Sequence, residues 1–146
     1  SKDVVMPLEI VNDAMPEAFG HETILLVEDE SGILNLTKII LERQGYHVLS
    51  ASTPNEAFRV AVEYEEEIHL LVTDVVMPEM NGRDLAETIA SLYPGLKRVF
   101  MSGYTAEVMA HQGVLEKGTF FVQKPFSAKN ILNAVRAALE VALAEI

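Results

Sequence analysis

The chain has 146 residues, 49% hydrophobic and 23% charged, with 22 acids against 11 bases and no cysteine. This is the balance of one globular domain with a real core, and a net charge of -11 argues against unaided binding to nucleic-acid phosphates. Without cysteine there are no disulfides or thiolate metal sites, and with no membrane-length apolar run and no signal-peptide pattern a cytoplasmic location without membrane contact is expected.

Residues 1–21 read as a linker or N-terminal arm, because Pro7, Pro16 and the Gly20-His21 end break any periodicity. Residues 22–146 read as the domain. Ile24–Val27 predicts an apolar strand that runs into Glu28-Asp29-Glu30. Ser31 is then the expected N-cap of a helix carrying Ile33, Leu36, Ile40 and Leu41, stopped at Gly45. Tyr46–Ser50 is a second strand. Thr53 or Asn55 starts a helix through Ala57, Val60, Ala61 and Tyr64, and Ile68–Thr73 is the third strand. After Asp74-Val75-Val76-Met77-Pro78, the pair Asn81-Gly82 precedes a helix with Leu85, Ile89 and Leu92 that stops near Pro94-Gly95. Arg98–Met101 predicts the fourth strand and Thr105 to about Gln112 a weaker fourth helix. Thr119–Val122 is the fifth strand, and Ser127 caps a fifth helix with Ile131, Val135, Leu139 and Ala142 on one face.

Five short apolar strands alternating with helices predict an α/β protein, a parallel sheet covered on both faces by right-handed crossovers. Flavodoxin-like and Rossmann orders both satisfy the pattern. Polar groups collect where the strands stop: Glu28 and Asp29, then Asp74, Ser102 and Lys124. Each alone is better explained as a cap, a turn residue or a solvated charge. Together, at one rim of the sheet where ligands bind in such folds, they point to a site. Converging carboxylates repel one another and hold a proton or a cation. All-oxygen donors select a hard ion such as Mg²⁺ or Mn²⁺. A carboxylate beside such an ion can attack a phosphoryl group, with Ser102 hydrogen-bonding one phosphoryl oxygen and Lys124 neutralising another. Gly103 leaves room for the incoming group.

The segments Ile24-Leu25-Leu26-Val27-Glu28-Asp29-Glu30, Asp74-Val75-Val76-Met77-Pro78 with Asn81-Gly82, Met101-Ser102-Gly103-Tyr104 and Lys124-Pro125-Phe126 closely resemble the receiver domain of two-component response regulators. The resemblance spans about residues 22–143. It implies a flavodoxin-like, doubly wound five-stranded sheet of order 2-1-3-4-5. It implies Asp74 as phosphoacceptor, Asp29 as a direct Mg²⁺ ligand, Glu28 acting mainly through the water shell, and the Val76 carbonyl as a further ligand. Ser102 and Lys124 would contact the phosphoryl group, the Lys124-Pro125 bond would be cis, and Ser102 with Phe121 would form the switch. Glu28 replaces the commoner Asp, adding a methylene and keeping the charge. Phe121 lacks a hydroxyl, so its coupling to Ser102 must work through ring packing. Val76 and Tyr104 occupy positions that influence hydrolysis and offer no water-orienting acid or amide, which predicts a long-lived acyl phosphate.

The implied function is a phosphoacceptor module of a bacterial two-component phosphorelay. Its donor is phosphohistidine on a histidine kinase or phosphotransfer domain, and its chemistry is limited to self-phosphorylation and autodephosphorylation. The expected partner face is the fourth helix, fifth strand and fifth helix, through which a homodimer could also form. The opening arm and the Ser-Gly-Tyr loop look similar to the C-terminal receiver of a hybrid sensor histidine kinase, and a stand-alone receiver is the competing context. A phosphatase of the haloacid-dehalogenase type would want its nucleophile on the first strand and an acid two residues later, where this chain has Val76. A flavin module would need donors where Glu28-Asp29-Glu30-Ser31 is acidic. A degenerate receiver acting only as an interaction module is the remaining alternative.

Overall fold

The computed structural model describes residues 20–105 and 119–141. Most of the predicted arm, the predicted fourth helix beyond Thr105 and the last turn at Ala142 lie outside them. The described elements are β1 (Thr23–Val27), α1 (Ser31–Arg43), β2 (His47–Ala51), α2 (Pro54–Glu63), β3 (Leu70–Asp74), α3 (Gly82–Ala90), β4 (Lys97–Ser102), β5 (Thr119–Gln123) and α4 (Ala128–Leu139). The strands are all parallel and lie in the order β2-β1-β3-β4-β5, the flavodoxin-like arrangement.

The central strands are apolar on both faces because both faces are covered. Leu25, Val27, Leu71 and Phe100 pack with Ala57 and Ala61 of α2 and with Leu85 and Ile89 of α3. Their chain neighbours Ile24, Leu26, Leu70, Val72, Val99 and Met101 face the other way, against Leu41 of α1 and Ile131, Val135 and Ala138 of α4. Each Val, Leu, Ile, Phe or Met among them contributes about 1.5–3 kcal/mol when fully buried. The β period of two therefore builds two cores from one sheet.

Three helices start on capping side chains. Thr53 Oγ1 accepts from Glu56 N–H at 3.0 Å and Asn81 Oδ1 from Asp84 N–H at 2.8 Å. Ser127 and Asn130 exchange bonds in a reciprocal box. The expected cap at Ser31 is corrected: Glu30 holds that position, its side chain makes no capping bond, and Ser31 is already helical. α3 also stops at Ala90, short of Leu92, and β3 begins at Leu70 although Ile68 is already buried. No helix among the described residues is long and apolar enough to cross a membrane.

Candidate functional site

Sheet register gathers the strand-end residues. Asp74 pairs with Met101, so Ser102 lies one step beyond it on the neighbouring strand, and Ser102 in turn pairs with Gln123, the residue before Lys124. Backbone bonds extend the ladder past the strands: Glu28 N–H donates to Ala51 O at 3.2 Å, Val75 N–H to Met101 O at 3.0 Å and Lys124 N–H to Ser102 O at 2.7 Å. Glu28, Asp74, Ser102 and Lys124 are thus carried on backbone that the sheet holds in place. They open into one cavity of about 200 Å³ lined by Glu28, Asp29, Asp74, Val76, Ser102, Tyr104 and Lys124 among others.

Glu28 is fully buried and Asp74 is 4% exposed, while Asp29 is solvent-exposed. Lys124 Nζ sits 2.6 Å from Asp74 Oδ1 and 2.7 Å from Glu28 Oε1. One ammonium therefore answers two carboxylates, leaving an excess negative charge in a poorly hydrated place. Burial, then the neighbouring Glu28, pushes the Asp74 carboxyl from 3.8 up to about 8, against the lowering pull of Lys124. Burial draws the Lys124 ammonium down, but its two acidic partners outweigh that and hold it above its ordinary value. Asp74 Oδ2 is buried and has no hydrogen-bond partner among the described residues. The second oxygen of Glu28 accepts from Glu30 N–H at 3.0 Å, which fixes that carboxylate in the cavity wall.

A carboxylate oxygen from each of Glu28, Asp29 and Asp74 lies within 4.8 Å of the others. Hard oxygen donors, surplus negative charge and an unpartnered Asp74 oxygen together fit a small divalent cation. Ser102 Oγ, in the cavity wall, accepts from Tyr104 N–H at 3.0 Å. A Cβ at Gly103 would meet no atom of the described residues within 4 Å, in keeping with open space beside the hydroxyl. Val76 and Tyr104 are 61% and 53% exposed at the cavity mouth. The Lys124-Pro125 peptide is cis.

Phe121 is the one expected residue outside this cavity. It is half-buried in β5, packed on the core layer that contains Phe100, its register partner. One contributor escaped the sequence reading. Gly82 lies under the site: its N–H donates to Val75 O at 2.7 Å, and a Cβ there would come within 2.0 Å of the Asp74 carbonyl oxygen. The Asn-Gly pair after the strand was visible as the lead into a helix, and not as the backing of the Asp74 backbone. Gly82→Ala is expected to destabilise the protein by about 3 kcal/mol, the upper part of the overpacking range, in urea unfolding. An unchanged midpoint would show that the loop yields freely.

The receiver-domain profile of response regulators matches residues 24–136. The sensor kinase CckA of Brucella abortus (strain 2308) is 36% identical over 121 residues, covering 83% of this chain and 13% of that protein. The response regulator receiver protein CpdR of the same organism is 32% identical over 116 residues, covering 80% of this chain and 95% of that one. Among solved structures, the receiver domain of the hybrid histidine kinase CckA superposes with a TM-score of 0.68 at 30% identity, covering 81% of this chain and 99% of that chain. A CheY-like receiver domain protein from Methanospirillum hungatei JF-1 gives a TM-score of 0.69 at 29% identity, covering 83% and 95%.

Proposed function

The chain belongs to the response regulator receiver family of two-component systems, and on that premise we propose that Asp74 accepts a phosphoryl group from a phosphohistidine donor. Receiver domains act with histidine kinases or phosphotransfer proteins, and the donor histidine would come from one of these. The observation that carries the proposal is the set of strand-end groups around one cavity, with a buried Asp74 oxygen that has no partner among the described residues.

In the proposed reaction Asp74 Oδ2 forms the new O–P bond while the donor's N–P bond breaks. The electron pair stays on the departing imidazole, which takes up a proton. Lys124 already sits against Asp74 and would follow the charge onto a phosphoryl oxygen. Ser102 would donate its hydroxyl proton to another. Glu28, Asp29, Asp74 and the Val76 carbonyl would hold a Mg²⁺ or Mn²⁺ ion, Glu28 mainly through water. Such an ion supplies neutralisation of the charge on the transferring group. Phosphorylation would then shift Ser102 and the packing of Phe121, altering a partner face that includes β5 and α4 and could also support a homodimer. The test is incubation with Mg²⁺ and acetyl phosphate, followed by intact mass. A folded protein that stays unmodified with several donors would instead be a degenerate receiver.

Two relatives supply two contexts, a module within a sensor kinase and a separate receiver protein. The chain spans 13% of the former and 95% of the latter.

The proposed acyl phosphate is long-lived because exposed Val76 and Tyr104 flank the cavity and neither offers an acid or amide to place an attacking water. Val76→Asn is expected to speed dephosphorylation about tenfold, a modest share of what a positioned polar group supplies. The decay of the phosphorylated mass measures it, and a variant no faster than wild type would exclude this role for Val76.

A further inference from the structure

At the end of the sheet away from the Asp74 cavity, the point where the chain enters the domain is tied to α4. Gly20 N–H donates to Gln44 O at 3.0 Å, and a Cβ at Gly20 would lie 1.9 Å from Tyr46 Cε1. Only a glycine lets the backbone lie against that ring. Gly45 faces it with φ +107°, in the region open to glycine, and a Cβ there would come within 2.4 Å of Gly20 O. Two residues along, Glu22 Oε2 receives Arg136 Nη2 at 2.9 Å, and the same guanidinium reaches the Tyr46 hydroxyl at 3.4 Å. The Glu22 and Arg136 side chains are only 15% and 20% exposed, so this pair is less screened than a surface one. His47 N–H donates to Glu22 O at 3.0 Å, and Lys97 Nζ donates to Leu139 O at 3.1 Å, fastening the end of α4 to the start of β4.

β4, whose Lys97 holds the end of α4, carries Ser102 in the cavity wall at its other end. β4 runs from Lys97 to Ser102, and α4 begins just past Lys124. A helix of this length is a strut of about 18 Å, and its apolar face is fully buried along Ile131, Val135 and Ala138. Packed elements shift as units and do not deform continuously. None of Gly20, Glu22, Tyr46 or Arg136 touches the cavity.

We propose that Gly20, Glu22, Tyr46 and Arg136 form a clasp that couples the N-terminal segment to the phosphorylation site through α4 and β4. Ordering the site tightens the clasp, and opening the clasp weakens the ordered site. By linkage the two effects have one magnitude. The coupling rests on Asp74 being the phosphoacceptor.

The test uses the full chain with Mg²⁺ and beryllofluoride as phosphoryl mimic. Calorimetry reads binding, and amide exchange at Gly20 and His47 reads the clasp. Loading of the wild type is expected to slow exchange at both amides about fivefold, the low end of allosteric coupling. Glu22→Gln should abolish that slowing and weaken beryllofluoride binding by the same factor, whereas a purely structural pair would lower the melting temperature and leave binding unchanged. Arg136→Lys is the milder break if Glu22→Gln melts below the assay temperature. Unchanged exchange in loaded wild type, or full affinity in the folded variants, overturns the coupling and leaves the site reading intact. A wild type that binds no beryllofluoride overturns both.

Discussion

Asp74→Asn protein, incubated with Mg²⁺ and acetyl phosphate, is expected to gain no phosphoryl mass under conditions in which the wild type is modified. The amide replaces a carboxylate whose Oδ2 is buried, has no hydrogen-bond partner among the described residues and is the proposed nucleophile. Glu28 is no substitute, because Lys124 Nζ holds one of its oxygens at 2.7 Å and Glu30 N–H the other at 3.0 Å. Asp29 is exposed and lacks an ammonium at contact distance among the described residues. The loss should occur in a folded protein, since Asn fills the same volume and the Glu28–Lys124 pair survives. Intact mass alongside circular dichroism separates these outcomes. A modified Asp74→Asn protein would move the acceptor elsewhere.

The same substitution should raise stability, and the gain should depend on pH. In the metal-free protein the Asp74 carboxyl stands at about 8, against 3.8 for an ordinary one. Between those values the folded state binds a proton that the unfolded state has released. Stability therefore falls as pH rises from about 4 to about 8 and is fully retained only below the lower value. Asn at this position has no proton to lose and leaves Glu28 and Lys124 balanced, one charge each. Allowing for water in the open cavity, the variant should be more stable than wild type by about 2 kcal/mol at pH 8, or about 6 °C in melting temperature, with no difference near pH 4. Mg²⁺ should close the gap at pH 8 by stabilising wild type more than the variant. Parallel melting curves across the range would show that the excess charge is relieved in some other way.

Much of this site was legible along the chain because its members interrupt otherwise apolar strands. Asp74 closes Leu70-Leu71-Val72-Thr73, and Lys124 follows Phe120-Phe121-Val122-Gln123. Such interruptions at the ends of buried strands stand out against a hydrophobic background. Helix caps were legible where a short polar side chain precedes the turn, as at Thr53, Asn81 and Ser127. Ser31 misled because the acidic run before it contains the actual cap position, Glu30, which uses backbone alone. Gly20 looked like part of a break in periodicity, since nothing local announces a ring of Tyr46 lying against it.

The sequence by itself determined the α/β alternation, the two-faced burial of the sheet and the identity of the acids, hydroxyl and lysine at its rim. These follow from short-range periodicity and from the cost of burying unpartnered polar groups. Only the tertiary structure decided which of those acids is sealed in and which is open, that one ammonium serves both Glu28 and Asp74, and that Gly82 backs the Asp74 carbonyl. The same holds for Glu22 and Arg136, which meet 114 residues apart. Contacts of that kind depend on strand register and helix docking, and no local pattern in the chain encodes the distance between two groups brought together from opposite ends of it.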